Sequence, residues 1–408
     1  MSFSFIHAAD LHIDTPFVGL SHLPHRIREQ VKESTFAALD NLVQLCLERE
    51  VDFLVIAGDI YDSADRSLTA QLRFQQAMQR LASEGIHVFI AHGNHDPLDG
   101  YRAKLSWSEN VHVFSSESVE SISFFKNQKE AARIYGISYP TSQVTERLVN
   151  RFRRDPSTPY AIGVLHTNVG GHPQHGNYAP CTIEELIAGH MDYWALGHIH
   201  TRQVLRDQHP TILYPGNIQG RSMKETGEKG CILVNVSNVE AMTSFSFHAL
   251  DVIRWLEVSI VMEEDATEQD LIDRLDDEIQ CLKERIGNRS LIVRFHLKVG
   301  QELAELFNRQ AFVQDVLHRY RVEQTPFVWL QGITVENLPM EEEDPFVLEM
   351  LEWLSHFQDD PEIRSRFLQE AWSPLLFEHR LGSKWLTQLT KEPIDWEKEI
   401  QDLIRQRK

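Results

Sequence analysis

Five short apolar runs punctuate the first 250 residues: SFSFIHAAD, VDFLVIAGD, IHVFIAHGN, YAIGVLHTN and DYWALGHIH. Each has the length of a buried strand, and each ends in polar residues. Between the first two, residues 25–50 set Ile27, Val31, Leu39, Leu42, Leu45 and Leu47 among charges, as an amphipathic helix does. Strand runs alternating with longer helical patterns predict a layered α/β domain over residues 1–250. In such sheets ligands gather at the carboxyl ends of strands, where the loops diverge and leave a crevice.

A second pattern starts near Asp251. Leu256, Val258, Ile260 and Met262 alternate as a strand, and Thr267 caps a helix with Asp270 at its third position. Leu271, Leu275, Ile279, Leu282 and Ile286 follow on one face, and Gly287-Asn288 ends the helix. Leu291, Val293, Phe295, Leu297 and Val299 alternate again, with Arg294, His296 and Lys298 opposite. That basic face reads first as a solvated sheet face and second as a contact for a polyanion. A helix over about 301–320 and a strand over about 327–335 complete a small α+β capping domain, residues 251–338. Beyond the acidic run Glu341–Asp344 and Pro345 only helical patterns remain. Phe346, Met350, Leu354 and Phe357 form one stripe, and Pro361 and Pro393 suit first-turn positions. This segment, residues 339–408, holds Trp353, Trp372, Trp385 and Trp396, half of the eight tryptophans, and is expected to dock on its own chain or on a partner.

Composition narrows the class. A chain of 408 residues, 42% hydrophobic and 25% charged, has the balance of a soluble globular protein and excludes fibrous or wholly disordered architectures. At ~100–200 residues per domain, two to four domains are expected. No stretch approaches the ~20 consecutive apolar residues of a membrane span. The opening MSFSFIHAAD has neither a basic n-region nor a small-residue cleavage site, so no secretory signal is expected. Cys46, Cys181, Cys231 and Cys281 lie at least 50 residues apart, with no C-x-x-C. Each is expected to be a buried small hydrophobe, and a cytoplasmic location follows as the expectation.

Charge is uneven. Residues 1–250 hold 21 Lys and Arg against 27 Asp and Glu, a net of −6; residues 251–408 hold 19 against 33, a net of −14. The sum, −20, argues against a nucleic-acid binder taken as a whole, because phosphate backbones attract Lys and Arg. A local field can differ from the net charge, and two divalent ions would bring the −6 of the first part to about −2.

The chemistry concentrates where the apolar runs end: Asp10-Leu11-His12; Gly58-Asp59-Ile60-Tyr61-Asp62; Gly93-Asn94-His95-Asp96; His166-Thr167-Asn168; and Gly197-His198-Ile199-His200. The first and last lie 190 residues apart, yet all five can converge on one crevice. Imidazole, carboxylate and one amide, with no thiolate, suit a borderline ion such as Mn²⁺, Fe²⁺ or Zn²⁺. D-x-H or H-x-H at a strand end can aim both side chains at one ion. The glycines before Asp59, Asn94 and His198 permit the sharp turn and close approach this needs. One carboxylate can bridge two ions, and Asp59 is the central candidate. Two ions ~3.5–4 Å apart can hold a water, lower its pKa and clamp a phosphoryl group for in-line attack. Singly these tripeptides say little in a chain with 20 histidines; all five in this order are specific. His7, His92, His172, His175 and His190 read as ordinary core or surface histidines, with substrate contact a second reading for His172 and His175.

Together the five segments resemble the calcineurin-like metallophosphoesterase signature, D-x-H, G-D-x-x-D, G-N-H-D, H and G-H-x-H. The opening FIHAADLHID, the helix leading into VDFLVIAGDIYD, and YPGNIQGRSMKETGEKGCILVNV over 214–236 further resemble the SbcD-type DNA double-strand-break repair nucleases, above all their YhaO-like branch in Gram-positive bacteria. The likeness covers about the first 240 residues by motif, residues 250–335 by layout alone, and the tail hardly at all. It implies a β-sandwich flanked by helices, and two divalent ions, Mn²⁺ foremost. It also implies a DNA exonuclease, with single-strand endonuclease activity as an extension, that acts in repair through a metal-activated water. One ion is implied at Asp10, His12, Asp59 and His200, the other at Asp59, Asn94, His166 and His198. His95 is implied beside the scissile phosphate, stabilising charge or protonating the leaving oxygen, with Asp96 orienting it through a hydrogen bond. Asp62 stands where archaeal and eukaryotic relatives carry a substrate-contacting histidine. The implied partners are DNA, an SbcC-type coiled-coil ATPase and a second copy of the chain in a homodimer, with no membrane.

Two further features stand beside that likeness. Gly-rich backbone around Asn217 and Arg221 suits contact with phosphate oxygens, which makes both candidate substrate-binding residues. Arg151, Arg153 and Arg154 could meet DNA or simply complement a helix end. The same metal site would equally serve a phosphodiesterase or phosphatase acting on a small or protein substrate. A non-catalytic scaffold is the third reading; it expects lost ligand positions, and here each is present.

Overall fold

The computed structural model describes residues 2–17, 23–63, 66–100, 103, 105–171, 178–237 and 242–338. The chain divides into two compact units, Met1–Glu336 and Asn337–Lys408, and the described elements belong to the first. The helices predicted within 339–408, and His172 and His175, lie outside the described residues. Among the described residues no helix is long and apolar enough to cross a membrane.

All five apolar runs form strands. The chain runs β1 (Phe3–Ala8), α1 (His25–Glu48), β2 (Phe53–Ala57), α2 (Leu68–Ser83), β3 (His87–Ala91), β4 (Val111–Val113), β5 (Glu120–Lys126), β6 (Lys129–Gly136), β7 (Ala161–His166), α3 (Ile183–Ala188), β8 (Tyr193–Gly197), β9 (Gln203–Arg206), β10 (Thr211–Tyr214), β11 (Gly230–Val236) and β12 (Thr243–Ala249). Two six-stranded sheets result, ordered β12-β11-β1-β2-β3-β4 and β5-β6-β7-β8-β10-β9. The strands that carry the motifs are parallel to their motif-bearing neighbours, β1 with β2, β2 with β3 and β7 with β8, so their carboxyl ends share one edge.

The sheets face each other across one apolar layer, with Phe5, Phe53, Val55 and Phe89 from the first meeting Ile134, Ile162, Val164 and Tyr193 from the second. The outer face of the first sheet packs Ile6, Leu54, Ile56 and Ile90 under Leu39, Leu42 and Val43 of α1 and Phe74, Met78 and Leu81 of α2. The outer face of the second packs Leu165, Trp194, Leu196 and Ile212 beneath Leu148, Phe152 and Leu186. Burial on both faces explains why these strands read as continuous apolar runs rather than as alternations. The expected α/β layering, a sandwich flanked by helices, is what forms.

The third sheet is built from β13 (Ile253–Val261), α4 (Glu268–Ile286), β14 (Ser290–Val299), α5 (Gln301–Phe307), α6 (Gln310–Arg319), β15 (Arg321–Val322) and β16 (Val328–Asn337), ordered β13-β14-β16-β15. The Thr267–Asp270 capping box forms, and Leu271, Leu275, Leu282 and Ile286 face the core of this layer. The single helix expected over 301–320 is two, because Arg309 takes an extended conformation (φ −90°, ψ 111°) that ends one and starts the next. Cys46, Cys181 and Cys231 are buried, but Cys281 is exposed, lying outside the apolar stripe of α4. Trp255, Ile292, Phe327 and Trp329 of this sheet pack on Leu23, Ile27 and Val31, fastening it to the first turns of α1.

Candidate metal centre

The loops after β1 and β2 continue the parallel pairing beyond the sheet. Asp10 N–H donates to Gly58 O at 3.1 Å, His12 N–H to Asp59 O at 3.0 Å and Ile13 N–H to Ile60 O at 2.9 Å. The backbone then bends sharply, with left-handed φ at Asp10 (51°), His12 (42°), Asp59 (50°) and His198 (105°). For residues with a Cβ this conformation is costly, and it recurs where side chains must be aimed at a site. Two close approaches exclude any side chain: a Cβ at Gly197 would fall 1.8 Å from Ala57 O, and one at Gly93 2.3 Å from Asp59 Oδ1.

The expected side chains gather. His12 Nε2 lies 3.0 Å from His200 Nε2, and His200 Nε2 lies 3.9 Å from Asp10 Oδ1. Asp59 Oδ2 stands between two imidazoles, 3.3 Å from His166 Nε2 and 3.8 Å from His12 Nε2. Asn94 Oδ1 is 3.0 Å from His166 Nε2. The His198 ring lies beside that of His166, centroids 5.2 Å apart, and the His198 backbone N–H donates to both oxygens of Asp10. His95 stands edge-on to His12, centroids 4.9 Å apart. Its N–H donates to Asp59 Oδ1, and its Nδ1–H donates to the Asp62 carbonyl, each at 2.9 Å.

The calcineurin-like phosphoesterase profile matches residues 3–202. The uncharacterized metallophosphoesterase YhaO of Bacillus subtilis strain 168 is 43% identical over 282 residues, 69% of this chain and 69% of that one. The chain belongs to the calcineurin-like phosphoesterases. More distant likenesses of this phosphoesterase are the DNA double-strand break repair protein Mre11 of Aeropyrum pernix, 25% identical over 245 residues (55% of this chain, 56% of that one), and a subunit of the nuclease SbcCD of B. subtilis, 23% over 258 residues (54% and 63%).

The donor set of the phosphoesterase fits divalent ions. Ligand atoms of Asp10, His12 and His200 lie within 4.8 Å of one another, as do those of Asp10, Asp59 and His166. Ala57 O can only accept, so His166 Nδ1, 3.0 Å away, carries the proton. A neutral His166 therefore turns its Nε2 lone pair toward Asn94 Oδ1 and Asp59 Oδ2, an arrangement of acceptors that calls for a cation. Without one, protons answer that demand. Burial would raise the Asp59 carboxyl, but His166, His12 and His95 hold it well below its ordinary range. Burial would lower His166, but Asp59 and Asp10 raise it to about 9. A divalent ion replaces that proton. His12, pushed down to about 3 by burial and by Arg221, is already in the neutral form a ligand needs.

Two expectations for the phosphoesterase are corrected. Asp96 does not hold His95 among the described contacts. Its Oδ1 accepts from Gly93 N–H at 2.8 Å and its Oδ2 from Ile60 N–H and His92 Nδ1, both at 2.9 Å. It braces the two loops, and His92, read as an ordinary histidine, is part of that brace. Asn217 is 1% exposed and its Nδ2 donates to Gln219 O at 2.8 Å and Glu225 Oε2 at 2.9 Å, so it supports the loop from a position closed to direct contact with substrate. Arg221, the other candidate substrate residue, is engaged with Glu225 and Asp62.

The sequence reading missed Glu225. Its Oε1 accepts from His200 Nδ1 at 2.8 Å, which favours the proton on Nδ1 and leaves Nε2 for an ion. Arg221 and Glu225 lie four apart in a turn bounded by Gly220 and Gly227, and outside a helix that spacing does not signal an ion pair.

Proposed function

We propose that this phosphoesterase is a two-metal-dependent DNA nuclease, first of all an exonuclease, that hydrolyses phosphodiester bonds in DNA repair, with Mn²⁺ as the preferred ion. The observation that carries it is the convergence of Asp10, His12, Asp59, Asn94, His166 and His200 from the strand ends of two sheets around one shared carboxylate. Likeness to proteins named for double-strand break repair and for a nuclease supports DNA as the polymer.

Asp10, His12, Asp59 and His200 would hold one ion, and Asp59, Asn94, His166 and His198 the other. When bound, the ions supply Lewis acidity toward the phosphoryl oxygens and the attacking water. His95 serves the leaving side. Its Nδ1 proton is engaged with the Asp62 carbonyl, so the proton it delivers to the leaving oxygen is carried on Nε2. Asp59, accepting from the His95 N–H, keeps that ring beside the shared carboxylate. The same reading includes an SbcC-type ATPase as partner, with residues 339–408 as its docking segment, pairing of two copies, and a cytoplasmic location.

End-labelled single- and double-stranded DNA, incubated with the full chain and Mn²⁺, Mg²⁺ or chelator, tests the reading. Mn²⁺-dependent shortening is expected from wild type and not from Asp59→Ala or His95→Gln. Equal activity of wild type and His95→Gln would end the assignment.

One observation favours a second reading, a phosphodiesterase for smaller substrates. The basic groups that the sequence offers for DNA contact are already paired: Arg151 with Glu146, Arg154 with Asp192, and Arg294 with Glu257. Turnover of oligonucleotides, cyclic nucleotides and phosphopeptides, compared side by side, separates the two; faster turnover of a cyclic nucleotide would reverse their order. A non-catalytic scaffold would instead bind less than one ion per chain after Mn²⁺ loading.

A further inference from the structure

Three charged side chains, Asp62, Arg221 and Glu225, wrap one half of the centre. Asp62 Oδ1 lies 3.1 Å from the buried His12 Nδ1, close enough to pair with a proton there. Glu225 Oε1 accepts from His200 Nδ1 at 2.8 Å. Arg221 joins the two acids, donating from Nη1 to Asp62 Oδ1 at 2.5 Å and from Nη2 to Glu225 Oε1 at 2.7 Å. The two imidazoles whose Nε2 atoms meet at 3.0 Å thus have their far nitrogens faced by two carboxylates that share one guanidinium.

We propose that Arg221 is a positioning residue that links Asp62 and Glu225 into one brace, which orients His12 and His200 and so sets the affinity of their ion site separately from that of the other. The proposal rests on the two-ion reading above. An imidazole ligand turns about its side-chain bonds, and a carboxylate at its far nitrogen fixes both ring plane and tautomer. A carboxylate with a single tie can itself swing; a planar guanidinium fork holds two at once. Side chains of Arg221, Asp62 and Glu225 are 16%, 19% and 12% exposed, so water screens these pairs weakly. Arg221 Nε also reaches Glu225 Oε2 at 3.2 Å, and its Nη2 lies 3.1 Å from His200 Nδ1, so the guanidinium packs against the ring as well as the acids. Its positive charge is offset by the two acids, leaving the brace with a net of one negative charge toward the ion.

The loop that carries the brace is itself fixed by the third sheet. Trp255 Nε1–H donates to Gly220 O at 2.8 Å and Gln219 Nε2–H to Ile253 O at 2.7 Å. A role for the third sheet follows: it holds Arg221 and Glu225 against loops that belong to the first two.

Calorimetric titration of the full chain with Mn²⁺ alone tests this. Wild type is expected to take up two ions; if it does not, the two-ion reading and the proposal fall together. Given two, Arg221→Met should weaken one binding step by about 10–100-fold and leave the other unchanged. Arg221→Lys, which lacks the fork, should recover part of the loss. Asp62→Asn added to Arg221→Met should cost nothing more, because both act through one brace. Should Arg221→Met prove unfolded in a thermal melt, Glu225→Gln, which keeps the shape and loses the charge, carries the same expectation. Equal weakening of both steps, or no change in either, overturns the proposal while leaving the two-ion reading intact.

Discussion

The two halves of the metal centre are held by different means. His166 closes β7 fully buried, with Nδ1 on the Ala57 carbonyl of β2, and the backbone at Gly93 and Gly197 leaves no room for it to move. His12 and His200 depend instead on Asp62, Arg221 and Glu225, side chains from two loops. A backbone brace inherits its precision from strand register and orders no side chain. A side-chain brace must order three side chains, at up to ~2 kcal/mol of rotamer entropy for the arginine and the glutamate. The first kind yields only to changes in the main chain, the second to one side chain at a time. Ion occupancy in the two halves should therefore be separable by mutation.

The halves meet at Asp59, whose Oδ2 faces an imidazole from each. Asp59→Ala should remove both Mn²⁺ binding steps and lower turnover at least about 10³-fold, on the order of 4 kcal/mol of transition-state stabilisation. Calorimetry and initial rates measure it, and survival of either step would mean that no carboxylate is shared. A smaller break targets the backbone half alone. A Cβ at Gly93 would stand 2.9 Å from the His166 ring as well as against Asp59. Gly93→Ala should cost about 1–3 kcal/mol of stability in denaturant unfolding and weaken the His166 step more than the His12–His200 step. The opposite ranking would contradict the division drawn here.

The same contrast explains what could be read in the chain. The half built on strands was legible, because β1, β2, β3, β7 and β8 are buried on both faces and each motif follows its apolar run directly. Asp10, Asp59 and His166 could be placed from that rule alone. The half built on loops was not. Glu225 sits in an ordinary charged stretch, and only tertiary contact shows that it faces His200. The resemblance misled at Asp96: implied to orient His95, it turns away to Ile60 and Gly93, because a tight turn sends successive side chains in different directions. The β5–β6 hairpin escaped notice because β5 is half exposed, so it has no continuous apolar run. Asn217 resembled a phosphate-loop residue by its glycine neighbours, and burial decided otherwise.

A third test separates the titration of the fold from that of the centre. His7, on β1, belongs to neither half; its ring lies between Tyr193 Oη at 3.0 Å and Leu196 O at 3.1 Å. Burial pulls its pKa down from 6.5 to about 3, the Leu196 carbonyl opposing. The unfolded chain therefore takes up this proton first as pH falls. The contribution of His7 to stability is complete above about pH 6.5 and is lost progressively toward pH 3. The slope is about 1.4 kcal/mol per pH unit for one group. With chelator present, His7→Gln should lose stability between pH 6 and 4.5 less steeply than wild type by roughly one proton. Equal slopes would show that this histidine is not the buried neutral base described.

The smallest effect is expected where neither brace reaches. Thr267 opens α4, accepting from Asp270 N–H at 3.3 Å while its hydroxyl donates to Asp270 Oδ2 at 2.6 Å. Its helix packs Leu271, Leu275 and Leu282 into the third sheet, the layer that anchors the Arg221–Glu225 loop through Trp255 and Ile253. Thr267→Ala should lower stability by about 0.5–1 kcal/mol, the usual worth of an exposed cap, and leave both Mn²⁺ steps where they were. The comparison matters because the third sheet anchors the loop that carries Arg221 and Glu225. If loosening α4 at its exposed end weakens the His12–His200 step, the brace depends on the rigidity of the whole third layer. If it does not, the hydrogen bonds at Gly220 and Ile253 suffice, and the layer needs only to be folded.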